Sequence, residues 1–156
     1  MAKKKKAVRL IGKILFLLYI AFLVYFLIFS DWYGRAGVEG YHYNLTPFLE
    51  IRRFWEYRDQ VGFGVMLANL AGNVLIFLPF GFFLPMASRY RSFFVTIFYS
   101  FALSFLVETF QLLTQVGSFD VDDLLLNTLG GAIGYILFSI GSYITGRKHG
   151  SKKRNK

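Results

Sequence analysis

The 156 residues are 55% hydrophobic and 20% aromatic, contain no cysteine and carry a formal net charge of +9. This composition excludes a disordered chain and argues strongly against a soluble domain. The missing cysteines exclude disulfides, thiol catalysis and cysteine metal sites.

In chain order, Lys3, Lys4, Lys5, Lys6, Arg9 and Lys13 precede or open a first apolar segment near Val8–Ser30. Its length and bulk, with no small-x-small cleavage site after it, read as a retained anchor rather than a signal peptide. Asp31-Trp32-Tyr33 reads as a helix end with an interfacial aromatic anchor. The following loop holds Gly34, Gly37 and Gly40, then Asn44-Leu45-Thr46-Pro47-Phe48. Thr46 is expected to cap a helix with Pro47 in its first turn. That helix, Phe48–Val61, is amphipathic: Phe48, Ile51, Phe54, Trp55 and Val61 fall on one side, and Arg52, Arg53, Glu56, Asp59 and Gln60 on the other. It is expected to lie in the membrane interface.

A second apolar segment, Val65–Pro85, carries Asn69 and Asn73 one turn apart on one face, with a kink expected at Pro79. Ser88-Arg89-Tyr90-Arg91 is a short basic turn. The third segment, Phe93–Thr114, has Glu108 as its only charge. A carboxylate at membrane depth costs roughly 2.5–3.5 kcal/mol on an insertion scale, so it is expected to face protein and to have a partner. Ser104, Glu108, Gln111 and Gln115 form one polar stripe at helical spacing. Asn69, Asn73, Gln111 and Asn127 are the expected partners of Glu108.

Before the fourth segment, Leu124–Ile144, come Asp120, Asp122 and Asp123. Asp120 can cap that helix, while the other two complement its dipole. Arg52, Arg53 or Arg58 could balance the three acids; a Mg²⁺ or Ca²⁺ ion is the weaker alternative. No cofactor is otherwise expected, and neither His42 nor His149 has a second metal ligand at diagnostic spacing. Gly130 and Gly134 form a small-xxx-small pair suited to close helix approach, within the chain or in a homo-oligomer.

Fourteen of the 18 basic residues flank the segment ends at the two termini and in the Ser88–Arg91 turn. The positive-inside rule therefore places both termini in the cytoplasm of a multi-pass membrane protein. The basic residues are set as topology signals and contacts for anionic lipid, not as a nucleic-acid motif. The expected fold is all-α: four transmembrane helices and an extracytoplasmic amphipathic helix, in a single domain spanning 1–156 with basic tails at 1–7 and 147–156. With that orientation Asn69, Asn73, Glu108, Gln111 and Asn127 fall in the outer half of the bilayer. Together with Asp120 and Asp123 they are the candidate ligand-binding residues.

Four motifs in this order resemble the VanZ-like family over about residues 44–138. They are Asn44-Leu45-Thr46-Pro47-Phe48; Asn69-x-x-Gly72-Asn73 with Phe77-Leu78-Pro79-Phe80-Gly81; Glu108-x-x-Gln111; and Phe119-Asp120-Val121-Asp122-Asp123, running on through Asn127 to Gly130. Where many members carry an arginine before the Phe-Asp pair, this chain has Gly117-Ser118, so the resemblance does not extend to an anion contact there. The resemblance implies a protein of the bacterial cytoplasmic membrane that lowers susceptibility to teicoplanin, a lipid-bearing glycopeptide. The expectation is a protein that binds or remodels an amphiphile at the outer leaflet, either a lipid-linked wall precursor or a lipoglycopeptide. A membrane hydrolase or transferase using Glu108 and Asp123 as acid and base is the alternative. A proton-coupled carrier and an accessory subunit held through Gly130 and Gly134 are weaker ones.

Overall fold

A computed structural model of the protein describes residues 2–29, 40–89 and 91–144. The aromatic anchor at Asp31-Trp32-Tyr33, the side chain of Val61 and the basic tail from Arg147 lie outside the described residues. Four long helices dominate: α1 (Ala2–Phe29), α4 (Phe63–Ala87), α5 (Phe93–Thr114) and α6 (Val121–Ile144). Each is long and apolar enough to cross a membrane, yet only 17% to 33% of its most apolar window is buried inside the bundle. Apolar side chains such as Leu17, Phe98, Leu106 and Leu113 face outward. A helix surface of that kind is stable in lipid, where the backbone hydrogen bonds are satisfied within each helix.

The packing centre is the pair α4 and α6, with α5 packed chiefly on α6 and α1 on α4. Glycine sets this geometry. A Cβ at Gly130 would strike the Val74 carbonyl, one at Gly134 the Leu78 carbonyl, and one at Gly81 the Gly131 carbonyl. The close approach expected of Gly130 and Gly134 is thus made to α4 of the same chain. Gly131 also receives the Ser100 hydroxyl of α5.

Helix α4 runs through both Pro79 and Pro85 to Ala87. Pro79 has no N–H to give the Leu75 carbonyl one turn back. At the adjacent carbonyl, Ile76, the Tyr19 hydroxyl donates from α1 at 2.5 Å. Tyr19, Leu23 and Phe80 form a buried apolar cluster there, with Phe16 packed on it.

The amphipathic helix differs from the expected one. It is two pieces, α2 (Leu49–Glu56) and α3 (Arg58–Val61), with Tyr57 between them. Thr46 does not cap it. Phe48 takes the cap position in a left-handed conformation (φ 65°), and its own side chain gives no capping bond. The Thr46 N–H instead donates to Asn44 Oδ1 at 2.9 Å, closing an Asx turn. Ile51 and Phe54 turn partly inward, while Phe48 and Trp55 are exposed, Trp55 by 60%. Two short strands, β1 (Tyr43–Asn44) and β2 (Phe119–Asp120), pair in parallel with Tyr43 opposite Phe119 and Asn44 opposite Asp120. They tie the segment before α2 to the segment before α6.

Candidate functional site

At the end of the bundle where α5 finishes and α6 begins, three carboxylates act in series. Glu108, 2% exposed, accepts the backbone N–H of Asp120 at 3.1 Å. Asp120 accepts the N–H of Asp122 at 2.7 Å, which makes it the N-cap of α6 as its position predicts. Asp122, 1% exposed, accepts the N–H groups of Phe48, Glu50 and Ile51 at 2.5, 2.8 and 3.1 Å. The missing cap of α2 therefore comes from α6, in the form of a carboxyl group at the positive end of the α2 dipole. This link explains how Phe48 is held at positive φ, a conformation that costs a non-glycine residue about 1 kcal/mol or more.

Beneath α2 lies a cavity of about 800 Å³. Asn69, Asn73, Asp120 and Asp123 line its polar part, and Phe22, Phe26, Leu75 and Ile76 its apolar part. Asn73 donates to Asp123 Oδ1. Asn44 donates to both Asp120 oxygens, at 3.3 and 3.4 Å. Asn69 donates to the Val65 carbonyl of its own helix at 2.9 Å.

The seven candidate residues thus separate into two layers. Asn69, Asn73, Asp120 and Asp123 face the cavity. Glu108, Gln111 and Asn127 are buried and are not among its lining residues. The partner of Glu108 is the Asp120 backbone, not the asparagine or glutamine side chains. Asn127 donates to Ser104 Oγ at 2.9 Å, locking α6 to α5. The buried stripe on α5 is Thr96, Ser100, Ser104, Glu108 and Gln111. It runs on past Ser104 to Ser100 and Thr96, away from the cavity, while Gln115 leaves it as an exposed left-handed helix cap. Asn44, Glu50, Arg53 and Asp122 are the site residues that sequence reasoning left off the candidate set. The only local signal for Asn44 was its place in the Asn-Leu-Thr-Pro-Phe motif.

Arg53 pairs with Glu50 at 2.7 Å, Arg52 with Glu56 at 2.6 Å and Arg58 with Asp59 at 3.8 Å. Burial lifts Glu50 above the ordinary carboxylate range; Arg53 opposes this, and the charges of Asp120 and Asp122 add to it. Burial likewise raises Asp120, against the hydrogen bonds from Asp122 and Asn44. Among the described residues no three His, Cys, Asp or Glu side chains converge as ligands for a metal ion. Both Asp122 oxygens point at α2 amides instead.

Glu108 is therefore a positioning residue. Glu108→Gln keeps a carbonyl oxygen for the Asp120 N–H and is expected to melt within a few degrees of the wild type. Glu108→Leu strands that N–H and is expected to lose about 1–3 kcal/mol. Thermal unfolding in detergent checks the pair; equal losses in both would show that the charge itself, not the acceptor oxygen, is what the fold uses.

Four long apolar helices, with a cavity between α1, α4 and the start of α6 that is covered by an amphipathic helix, define a multi-pass membrane protein. The VanZ/LLP1 family model matches residues 16–142, and the chain belongs to that family. It is also similar to "Protein VanZ" of Enterococcus faecium, 28% identical over 149 residues that cover 94% of this chain and 81% of the relative. No solved structure matches the chain.

Proposed function

We propose that this protein binds or remodels an amphiphile at the outer face of the bacterial cytoplasmic membrane, with both termini in the cytoplasm, and so lowers susceptibility to teicoplanin. The cavity carries this reading. Carboxylates and amides line one part of it, aromatic and aliphatic side chains another, and α2 lies over it at one end of the bundle. A headgroup fits the first lining and a hydrocarbon tail the second. The charge distribution supports the orientation, since the flanking basic clusters belong to the opposite ends of the helices. The pairing of Glu108 with Asp123 as acid and base gains no support, because Glu108 is absent from the lining.

Gly72 provides the test. It lines the cavity, and a Cβ built on it meets no atom within 4 Å. Gly72→Leu therefore projects an isobutyl group into the cavity from a wall where its first carbon meets no neighbour. Cells expressing the wild type are expected to tolerate several-fold more teicoplanin with little change towards vancomycin, which lacks the acyl chain. Cells with Gly72→Leu at the same membrane level are expected to lose that difference. Full tolerance with Gly72→Leu would separate the activity from the cavity.

A further inference from the structure

The charges around the cavity distinguish one class of headgroup. Among the described residues its charged and titratable lining side chains are His42, Tyr43, Glu50, Arg53, Asp120, Asp122 and Asp123. Arg53 is already paired with Glu50. Asp122 is occupied by three amides of the 48–51 segment. The α6 N-terminus offsets about half a charge. Two carboxylates remain, Asp120 and Asp123; their hydrogen bonds come from neutral amide and backbone N–H groups, and of the two only Asp120 also feels the charge of Arg53, which is itself paired with Glu50. Neutral donors bring no positive charge to these carboxylates, and each keeps capacity to accept more hydrogen bonds. An acidic helix N-terminus is commonplace in itself. Here it forms part of the wall of a cavity of about 800 Å³ whose other walls are Phe22, Phe26, Leu75 and Ile76.

We infer that the amphiphile this cavity takes carries an ammonium group, seated against Asp123 and Asp120, with its hydrocarbon along Phe22, Phe26, Leu75 and Ile76. The inference rests on the amphiphile reading above and adds its sign. A primary ammonium has three N–H donors and no acceptor, which complements two carboxylates and the Asn69 and Asn73 side-chain oxygens. A headgroup presenting phosphate without an amine would enter against the same carboxylates, and among the described lining residues the one arginine is already paired with Glu50.

The test uses the full chain in phosphatidylcholine nanodiscs at pH 7, titrated with dodecylammonium, dodecyl phosphate and lysophosphatidylethanolamine. Binding to the cavity is the part of the signal that Gly72→Leu removes. Dodecylammonium is expected to bind at least about tenfold more tightly than dodecyl phosphate, and Asp123→Asn to weaken it by about tenfold or more. Lysophosphatidylethanolamine binding as tightly as dodecylammonium would identify an amine-bearing lipid as the source. Weaker binding would identify a free amphiphilic amine. Cavity binding of dodecyl phosphate equal to or tighter than the amine overturns the ammonium assignment and leaves the amphiphile reading standing. No cavity-dependent binding of any of the three overturns both. The headgroup comparison is made on the wild type, so it stands even where Asp123→Asn folds poorly.

Discussion

Gly81→Val is expected to remove most of the folded protein from the membrane. The first carbon of the new side chain falls on the Gly131 carbonyl of α6, within the backbone-to-backbone contact at the centre of the bundle. No flexible side chain stands in the way to yield, so the two helices must separate. Separation also loosens the neighbouring contacts of Gly130 on Val74 and Gly134 on Leu78. Overpacking a well-packed core typically costs about 1–3 kcal/mol, and a clash between two main chains belongs at or above the upper end. Gly141→Ala is the matched control. A Cβ there meets nothing within 4 Å, and alanine is the better helix former by about 1 kcal/mol. Monodisperse yield on size exclusion and the melting temperature in detergent compare the two. A Gly81→Val protein with wild-type yield and melting would show that α4 and α6 are not held at this distance.

Asp122→Ala is expected to release α2 while the four long helices stay assembled. One carboxylate accepts the N–H groups of Phe48, Glu50 and Ile51, and α2 contributes no fully buried side chain of its own. Little else holds it in place, apart from the short β1–β2 pairing and partial burial of Ile51 and Phe54. Losing a charged cap with several bonds is worth about 2–4 kcal/mol, since the freed amides regain water. Hydrogen exchange at residues 48–51 is therefore expected to accelerate by roughly a hundredfold or more, with little change in α4 and α6. Asp122→Asn, which retains one acceptor oxygen, is expected to fall between the two. Unchanged exchange at 48–51 in Asp122→Ala would mean that membrane contacts of Phe48 and Trp55, not Asp122, fix the helix. Teicoplanin tolerance should fall with the release if α2 covers the bound amphiphile.

Each element was legible in the sequence to the extent that its cause is local. The four crossings follow from unbroken apolar runs, and Asp120 as a cap follows from its place before α6. Glu108 is buried because the bilayer leaves a lone carboxylate no alternative. What it faces depends on the azimuth of α5 against α6, which is set by glycine contacts between helices. The asparagine partners expected of Glu108 sit on helices that turn those side chains elsewhere, Asn127 to Ser104 and Asn73 to Asp123. The cap of α2 was misplaced for a similar reason. Thr46 has the right chemistry at the right spacing, but its acceptor role is taken by Asp122, 74 residues along the chain from the Phe48 amide it accepts, and no pattern within one segment encodes that. The break at Tyr57 and the two-residue strand pairing are equally non-local.

That separation along the chain also governs biogenesis. Helices α4 and α5 meet each other only sparsely, and both pack chiefly on α6. Asp120, Asp122, Asp123 and every glycine that closes on α4 from the other side arrive with α6, the latest of the four spans to leave the ribosome. Until then the nascent chain holds Glu108 in the bilayer with no Asp120 amide to accept, and α2 with no anion at its end. The half-made protein carries a conspicuous polar defect within its third span that vanishes on completion. The residues that remove this defect, Asp120 with its amide and the start of α6, are the same ones that complete the wall of the cavity.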